Sequence, residues 1–219
     1  MKLQHLLVLA LALAAPPALA QSRAGHYEFY MSPVFTQSKS QTFEGGASAN
    51  IDNSYGFGGG FAYNWSSHLS AGAELAWGEA YYRTTLAPVN PGPGVGPVQA
   101  SGFVDTATLR FVGTWNLLST PITPFLSGGL GWTHIYTDIP AGPPQNSCWY
   151  YPWYGPICTT YVPTQNTTKF SYNAAAGIRA DMGNWLIRGL ANAQRIDIGG
   201  RQGDGYWIQY RLDLGIRFR

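Results

Sequence analysis

Charge is what this sequence has least of. Asp, Glu, Lys and Arg make up 11% of its 219 residues, against about 25% in an ordinary soluble domain, too few to cover a water-facing surface. Long apolar runs are also missing beyond the first twenty residues. A membrane-crossing helix needs about 20 such residues, so a helical membrane protein is excluded. Net charge of either sign is absent too: 13 Lys and Arg stand against 11 Asp and Glu, which leaves no electrostatic footprint for nucleic acid. Cysteine occurs twice, at 148 and 158, and four scattered histidines beside one cysteine pair do not give metal-ligand spacing. No cofactor is expected.

What is present begins with a leader. MKLQHLLVLALALAAPPALA places Lys2 before an apolar run from Leu6 to Ala15, and Ala18-Leu19-Ala20 before Gln21. This is the pattern of a Sec signal peptide over residues 1–20, with an Ala-x-Ala cleavage site. The run is too short for a retained membrane helix, and Pro16 and Pro17 interrupt it. Without Lys2, 12 basic residues face 11 acidic ones. Residues 21–219 form the expected domain. Export to an oxidising compartment makes a Cys148–Cys158 disulfide the preferred reading over a metal pair or a catalytic thiol.

Aromatic residues reach 15% and glycine counts 27. The order behind that composition is alternation of period two, which sends successive side chains to opposite faces of a strand. Across residues 206–218, Tyr206, Ile208, Tyr210, Leu212, Leu214, Ile216 and Phe218 share one face, while Trp207, Gln209, Arg211, Asp213, Gly215 and Arg217 lie on the other. Seven further segments follow the rule: residues 27–35, 55–65, 69–78, 106–115, 124–137, 170–181 and 185–197. In the 185–197 segment Leu190 and Ile196 fall out of phase, which a bulge would account for. Connections at 66–68, 118–121 and 182–184 are short; those at 37–52, 83–102, 138–168 and 198–205 are long. Eight such segments predict an all-β fold, an eight-stranded antiparallel up-and-down transmembrane β-barrel with both termini at the short-turn end.

The polar face decides between a membrane barrel and a soluble one. It is mostly Gly, Ser, Ala, Thr and Asn rather than the dense Lys and Glu of a water-facing surface. Such a face suits the interior of an eight-stranded barrel, which side chains fill. Small residues leave room for Arg110, Arg179, Arg188, Arg211 and Arg217 to pair with Glu28, Glu74, Asp181 and Asp213, and ion pairs of this kind would plug the lumen. On the apolar face, Tyr27, Tyr55, Trp65, Trp77, Trp115, Trp185, Tyr206 and Phe218 cluster toward strand ends, as aromatic girdles do.

With its leader, the glycine-rich PFLSGGLGWTH stretch from Pro124 and a terminal strand ending LDLGIRF, the chain resembles the small outer-membrane β-barrel proteins of Gram-negative bacteria. These form the OmpA/OmpX-like, porin-type superfamily. The resemblance implies residence in the cell outer membrane, contact with its lipid and lipopolysaccharide, and recognition of the terminal strand, through Phe218, by the barrel-assembly machinery. A monomer is expected, without a wall-binding domain after the barrel.

Some barrels of this size are lipid-modifying enzymes. His68-Leu69-Ser70 resembles the His-x-Ser of lipid A deacylases, but it sits at a short turn, away from the outer leaflet. His134, near Tyr136 and Asp138, could serve as a base held by a carboxylate, yet no serine lies beside it in sequence. Tyr55-Gly-Phe-Gly-Gly-Gly-Phe61 lies in a strand with no helix after it, so it is no phosphate cradle.

Of the long connections, PVNPGPGVGPV within 83–102 cannot pack a core. Within 138–168, CWYYPWYGPIC sets Trp149, Tyr150, Tyr151, Trp153 and Tyr154 between the two cysteines. A disulfide there stiffens the tip by about 2.5 to 3 kcal/mol in the chain-entropy model. Rigid rings of this kind suit surface binding. The expected function is therefore a non-enzymatic envelope component with loops for adhesion or for a surface ligand. An outer-membrane lipid-modifying enzyme and a small porin-like solute pathway are the alternatives.

Overall fold

The computed structural model describes residues 23–42, 48–86, 98–153, 155–197 and 206–219. The expected signal peptide, most of the Pro/Gly-rich connection and residues 198–205 lie outside them. The described strands are β1 (Tyr27–Thr36), β2 (Lys39–Thr42), β3 (Ser48–Ile51), β4 (Ser54–Asn64), β5 (Leu69–Leu86), β6 (Val98–Asn116), β7 (Ile122–Pro140), β8 (Gln145–Tyr151), β9 (Gly155–Tyr161), β10 (Thr164–Met182), β11 (Trp185–Ile196) and β12 (Tyr206–Phe218).

Eight of these pair antiparallel in the cyclic order β1, β4, β5, β6, β7, β10, β11, β12. Tyr27 opposite Phe218 and Phe35 opposite Tyr210 close the ring between first and last strands. The fold is thus the closed eight-stranded transmembrane barrel that the alternation predicts. Closure removes the free sheet edges that hydrocarbon could not satisfy.

The four remaining strands occupy the long connections. The β2 and β3 hairpin extends the sheet from the far end of β5, where Ile51 lies opposite Tyr82. Strands β8 and β9 form a separate two-stranded sheet. Two long connections are therefore shorter than expected: β5 runs to Leu86 and β6 starts at Val98, while β7 reaches Pro140 and β10 begins at Thr164.

The reading of β11 is corrected. Its register to β10 and to β12 is uninterrupted, with no bulge. Leu186, Leu190 and Ile196 simply face inward with Arg188. Leu190 fits because its cross-strand partner is Gly177, where a Cβ would come 2.8 Å from that of Leu190. Leu186 packs on Tyr30 and Ala62 in a small apolar cluster. The one irregularity between β7 and β10 falls at Thr164/Asn166.

The outward face is apolar, and the predicted girdle residues are all exposed on it. Tyr27, Trp65, Trp115, Trp185 and Phe218 ring the short-turn end; Tyr55, Trp77 and Tyr206 ring the other. Glu79 and Asp105 lie directly opposite each other, in phase with the outward Trp77 and Ala107. Like charges so placed repel and are tolerable only beyond the hydrocarbon, so they mark its edge at the long-loop end.

Candidate functional site

The lumen is filled in layers. Nearest the short turns, Arg179 of β10 is fully buried and grips Glu28 of β1 in a bidentate pair, with Nη2 to Oε1 at 2.5 Å and Nη1 to Oε2 at 3.1 Å. The same guanidinium reaches Asp181 at 2.8 Å, and Asn64 donates to Glu28 at 2.8 Å. Arg217 donates to the Gly183 carbonyl at 2.6 Å. Gly183, with φ of +62°, makes the turn into β11 in a conformation only glycine adopts freely.

The middle layer centres on Glu74. Its carboxylate accepts from Tyr30 at 2.6 Å, Arg110 at 2.8 Å and Arg211 at 2.7 Å. Asp213 accepts from Ser32 at 2.6 Å and Arg211 at 3.0 Å, and pairs with Arg188 at 2.8 Å. The Arg188 guanidinium lies 3.9 Å from the Tyr30 ring centre, a cation–π contact. Gly60 provides the room for that ring: a Cβ there would meet the Tyr30 hydroxyl at 2.5 Å. Above this layer the polar groups are uncharged. Thr133 bonds Thr108, Ser171 and Gln194, and Asn192 links Asn173 to Gln209.

The nine ionic residues marked from the sequence lie inside the barrel in these two layers, and a tenth joins the layer nearest the short turns. Arg23 stands before β1, so no strand periodicity touches it. Its buried guanidinium pairs with Asp181 and donates to the carbonyls of Ser67, Leu118 and Thr120. The carbonyls belong to two different short turns, β4 to β5 and β6 to β7, and Asp181 stands at the end of β10 beside a third. The only sequence signal for it is a lone arginine between leader and first strand.

Small cavities lie in the described lumen. One, about 40 Å³, lies between Thr36, Thr133, Gln194 and Trp207; another, about 10 Å³, lies between Glu74, Arg188 and Asp213. A water needs about 10 to 15 Å³, so these hold a few waters and not a channel.

The histidines weighed for catalysis have other partners. His68 Nδ1 lies 2.9 Å from the Asn116 carbonyl at a short turn. His134 Nδ1 lies 2.6 Å from Thr168 Oγ1, while the Asp138 carboxylate accepts from Tyr82 at 2.9 Å.

At the long-loop end, Cys148 and Cys158 face each other across β8 and β9 and are joined by a disulfide. An isolated two-stranded hairpin is marginal in water, and the bond supplies the missing order. Two further pairs brace it: Thr160 Oγ1 to Asn146 Oδ1 at 2.6 Å, and Tyr161 OH to Gln145 Oε1 at 2.9 Å. Of the rings proposed for binding, Tyr150 is 75% and Trp153 90% exposed. Trp149 and Tyr151 belong to β8, and Tyr154 lies outside the described residues.

A closed barrel, apolar outside and packed with ion pairs inside, defines a class: the small outer-membrane barrels. The sequence matches the outer membrane protein beta-barrel domain family over residues 6–218, and the chain belongs to that family. No curated protein matches it in sequence. The fold is similar to that of Ail, the attachment invasion locus protein of Yersinia pestis, solved in complex with the heparin analogue sucrose octasulfate (12% identity, 89% of this chain and 99% of that one, TM-score 0.51). It is also similar to the outer membrane protein OprG from Pseudomonas aeruginosa (10% identity, 92% and 99% coverage, TM-score 0.59).

Proposed function

We propose that the protein is a non-enzymatic, monomeric outer-membrane barrel that keeps its lumen shut and presents the disulfide-closed hairpin outside the cell as a binding element. The observation that carries this reading is the contrast between the two ends. At the short-turn end Arg23 ties two turns to the end of β10 over a filled interior. At the other, the β7 and β10 ladder continues past the apolar band and leads to a separately paired hairpin with bare rings. An even number of strands with both termini at the short-turn end directs the long connections outward.

Attachment in Ail favours a surface role for a barrel of this shape, but its sulfated ligand is not carried over. A polyanion needs Lys or Arg, and residues 139–168 contain neither. The bonds held by His68 and His134 favour structural roles for both.

The test compares cells carrying the natural protein with cells in which a Gly/Ser linker replaces residues 145–161. Both proteins are expected in the outer-membrane fraction with heat-modifiable gel mobility, with adherence to coated surfaces lost only in the second. Unchanged adherence would remove the binding role. Altered lipid A acylation in a deletion strain would turn the reading toward an enzyme.

A further inference from the structure

Residues 139–168 include no Asp, Glu, Lys, Arg or His, although at the chain's overall 11% charge thirty residues would carry about three. In their place stand six aromatic residues, four Asn and Gln, and six Ser and Thr. An exposed protein segment without any charge gains nothing from a charged partner and loses nothing to salt. It must bind through ring faces and through neutral donors and acceptors.

The register places these groups in order. Along one face of the hairpin run Asn146 opposite Thr160, Cys148 opposite Cys158, and Tyr150 opposite Pro156, with Trp153 at the turn. The face carries a hydrogen-bonding end, a disulfide in the middle and rings at the tip. Thr160 already donates to Asn146 Oδ1 at 2.6 Å, a bond that uses the amide oxygen and not its two N–H donors. Tyr150, Trp153, Asn146 and Thr160 are all exposed. A pyranose presents the matching chemistry: a C–H face that meets the negative face of an aromatic ring, edged by hydroxyls that both donate and accept.

Position selects the source. Tyr136 is level in register with Asp105 at the edge of the apolar band. From there the β7 and β10 ladder continues to Ala141, which donates to the Pro163 carbonyl. Five residues in a tilted strand rise roughly 12 Å, more than the 5 to 8 Å of a headgroup layer. The hairpin begins beyond the phosphate-bearing surface, whose anions an uncharged segment could not recognise in any case.

We infer that the β8 and β9 hairpin binds an uncharged, polyhydroxylated glycan borne by another surface, with sugar rings stacked on Tyr150 and Trp153 and hydroxyls bonded to Asn146 and Thr160. This rests on the outward binding role proposed above and names its ligand class. The preformed, disulfide-closed geometry lowers the ordering cost of weak individual contacts.

The full-length protein in phosphatidylcholine nanodiscs is titrated with chitin oligosaccharides, mannan, heparin and purified lipopolysaccharide. The expected result is binding to one of the two neutral glycans that changes less than about two-fold between 50 and 500 mM NaCl, as screening leaves uncharged contacts alone. Trp153→Ala and Tyr150→Ala should each weaken it by up to about ten-fold, while heat-modifiable mobility shows that the barrel is intact. Binding only to heparin and lost in salt, binding only to lipopolysaccharide, or binding to none of the four overturns the inference. If the linker-replaced cells still lose adherence while no glycan binds, the outward binding role stands and the ligand class falls. If they keep it, both fall.

Discussion

Arg23 and Glu74 show how much of this interior hangs on single side chains. Truncating Arg23 strips donors from the carbonyls of Ser67, Leu118 and Thr120 while leaving Asp181 its partner in Arg179. Because the carboxylate keeps one cation, Arg23→Ala should cost about 2 kcal/mol, less than the 3 to 5 of a fully broken buried pair. The temperature at which the compact gel band disappears should fall, and an unchanged temperature would show that the two turns hold without it. Glu74 has less reserve, because Arg211 keeps Asp213 but Arg110 pairs with Glu74 alone. Glu74→Ala leaves the Arg110 and Arg211 guanidiniums short of their shared carboxylate, so a loss of about 3 to 5 kcal/mol is expected. Glu79→Ala, on the lipid side of the same strand, should change stability by less than about 0.5 kcal/mol; urea unfolding of the two in vesicles measures the difference. The sequence marks Glu74 because strand phase places it on the polar face. It passes over Arg23 because a residue outside any strand has no phase.

Among the elements, alternation reveals a strand only where its two faces meet different surroundings. All eight barrel strands cross from a polar lumen to lipid, so all eight are legible. Their outer extensions are not: beyond Glu79 and Asp105 both faces of β5 and β6 meet water, and the contrast that marks a strand fades. The β8 and β9 hairpin is hidden for the same reason, and its prolines read as loop. In β11 the inward face carries Leu186, Leu190 and Ile196 because Tyr30, Ala62 and Gly177 make apolar space for them. Polarity alone therefore misreads their phase. The hairpin also yields a prediction at this scale. It pairs only with itself among the described strands, so Cys148→Ser with Cys158→Ser should leave barrel unfolding unchanged within about 0.5 kcal/mol. Protease cleavage between residues 145 and 161 should become faster, since the clip is worth about 2.5 to 3 kcal/mol to the loop. Equal cleavage rates with and without the bond would mean that strand pairing and the Gln145 and Asn146 contacts suffice.

For the molecule as a whole, the lumen has two seals in series. Arg23, with the Arg179, Glu28 and Asp181 set it joins, closes the short-turn end, and the Glu74, Arg110, Arg211 and Asp213 layer blocks the middle, with a cavity of about 10 Å³ beside it. Six buried guanidiniums face four carboxylates, so the plug has surplus positive charge and is held by shared rather than one-to-one pairs. An ion can pass only if several of these contacts part together. At about 3 kcal/mol or more for each broken pair, even one opening is populated less than about one part in a hundred. Planar bilayers containing the natural protein should therefore show no steady current, and ohmic conductance would refute the plugged lumen outright. Replacing Glu74, Arg110 and Arg211 by Ala together removes a linked set without leaving a charge unpaired, since Asp213 keeps Arg188. That variant alone should stay silent because Arg23 still closes the end, and Arg23→Ala alone should stay silent because the middle layer remains. With both changes combined, Arg179, Glu28 and Asp181 still fill the short-turn end, so steady conductance is expected only when Arg179 and Glu28 are replaced as well; current from either change singly would show that the lumen has a single barrier.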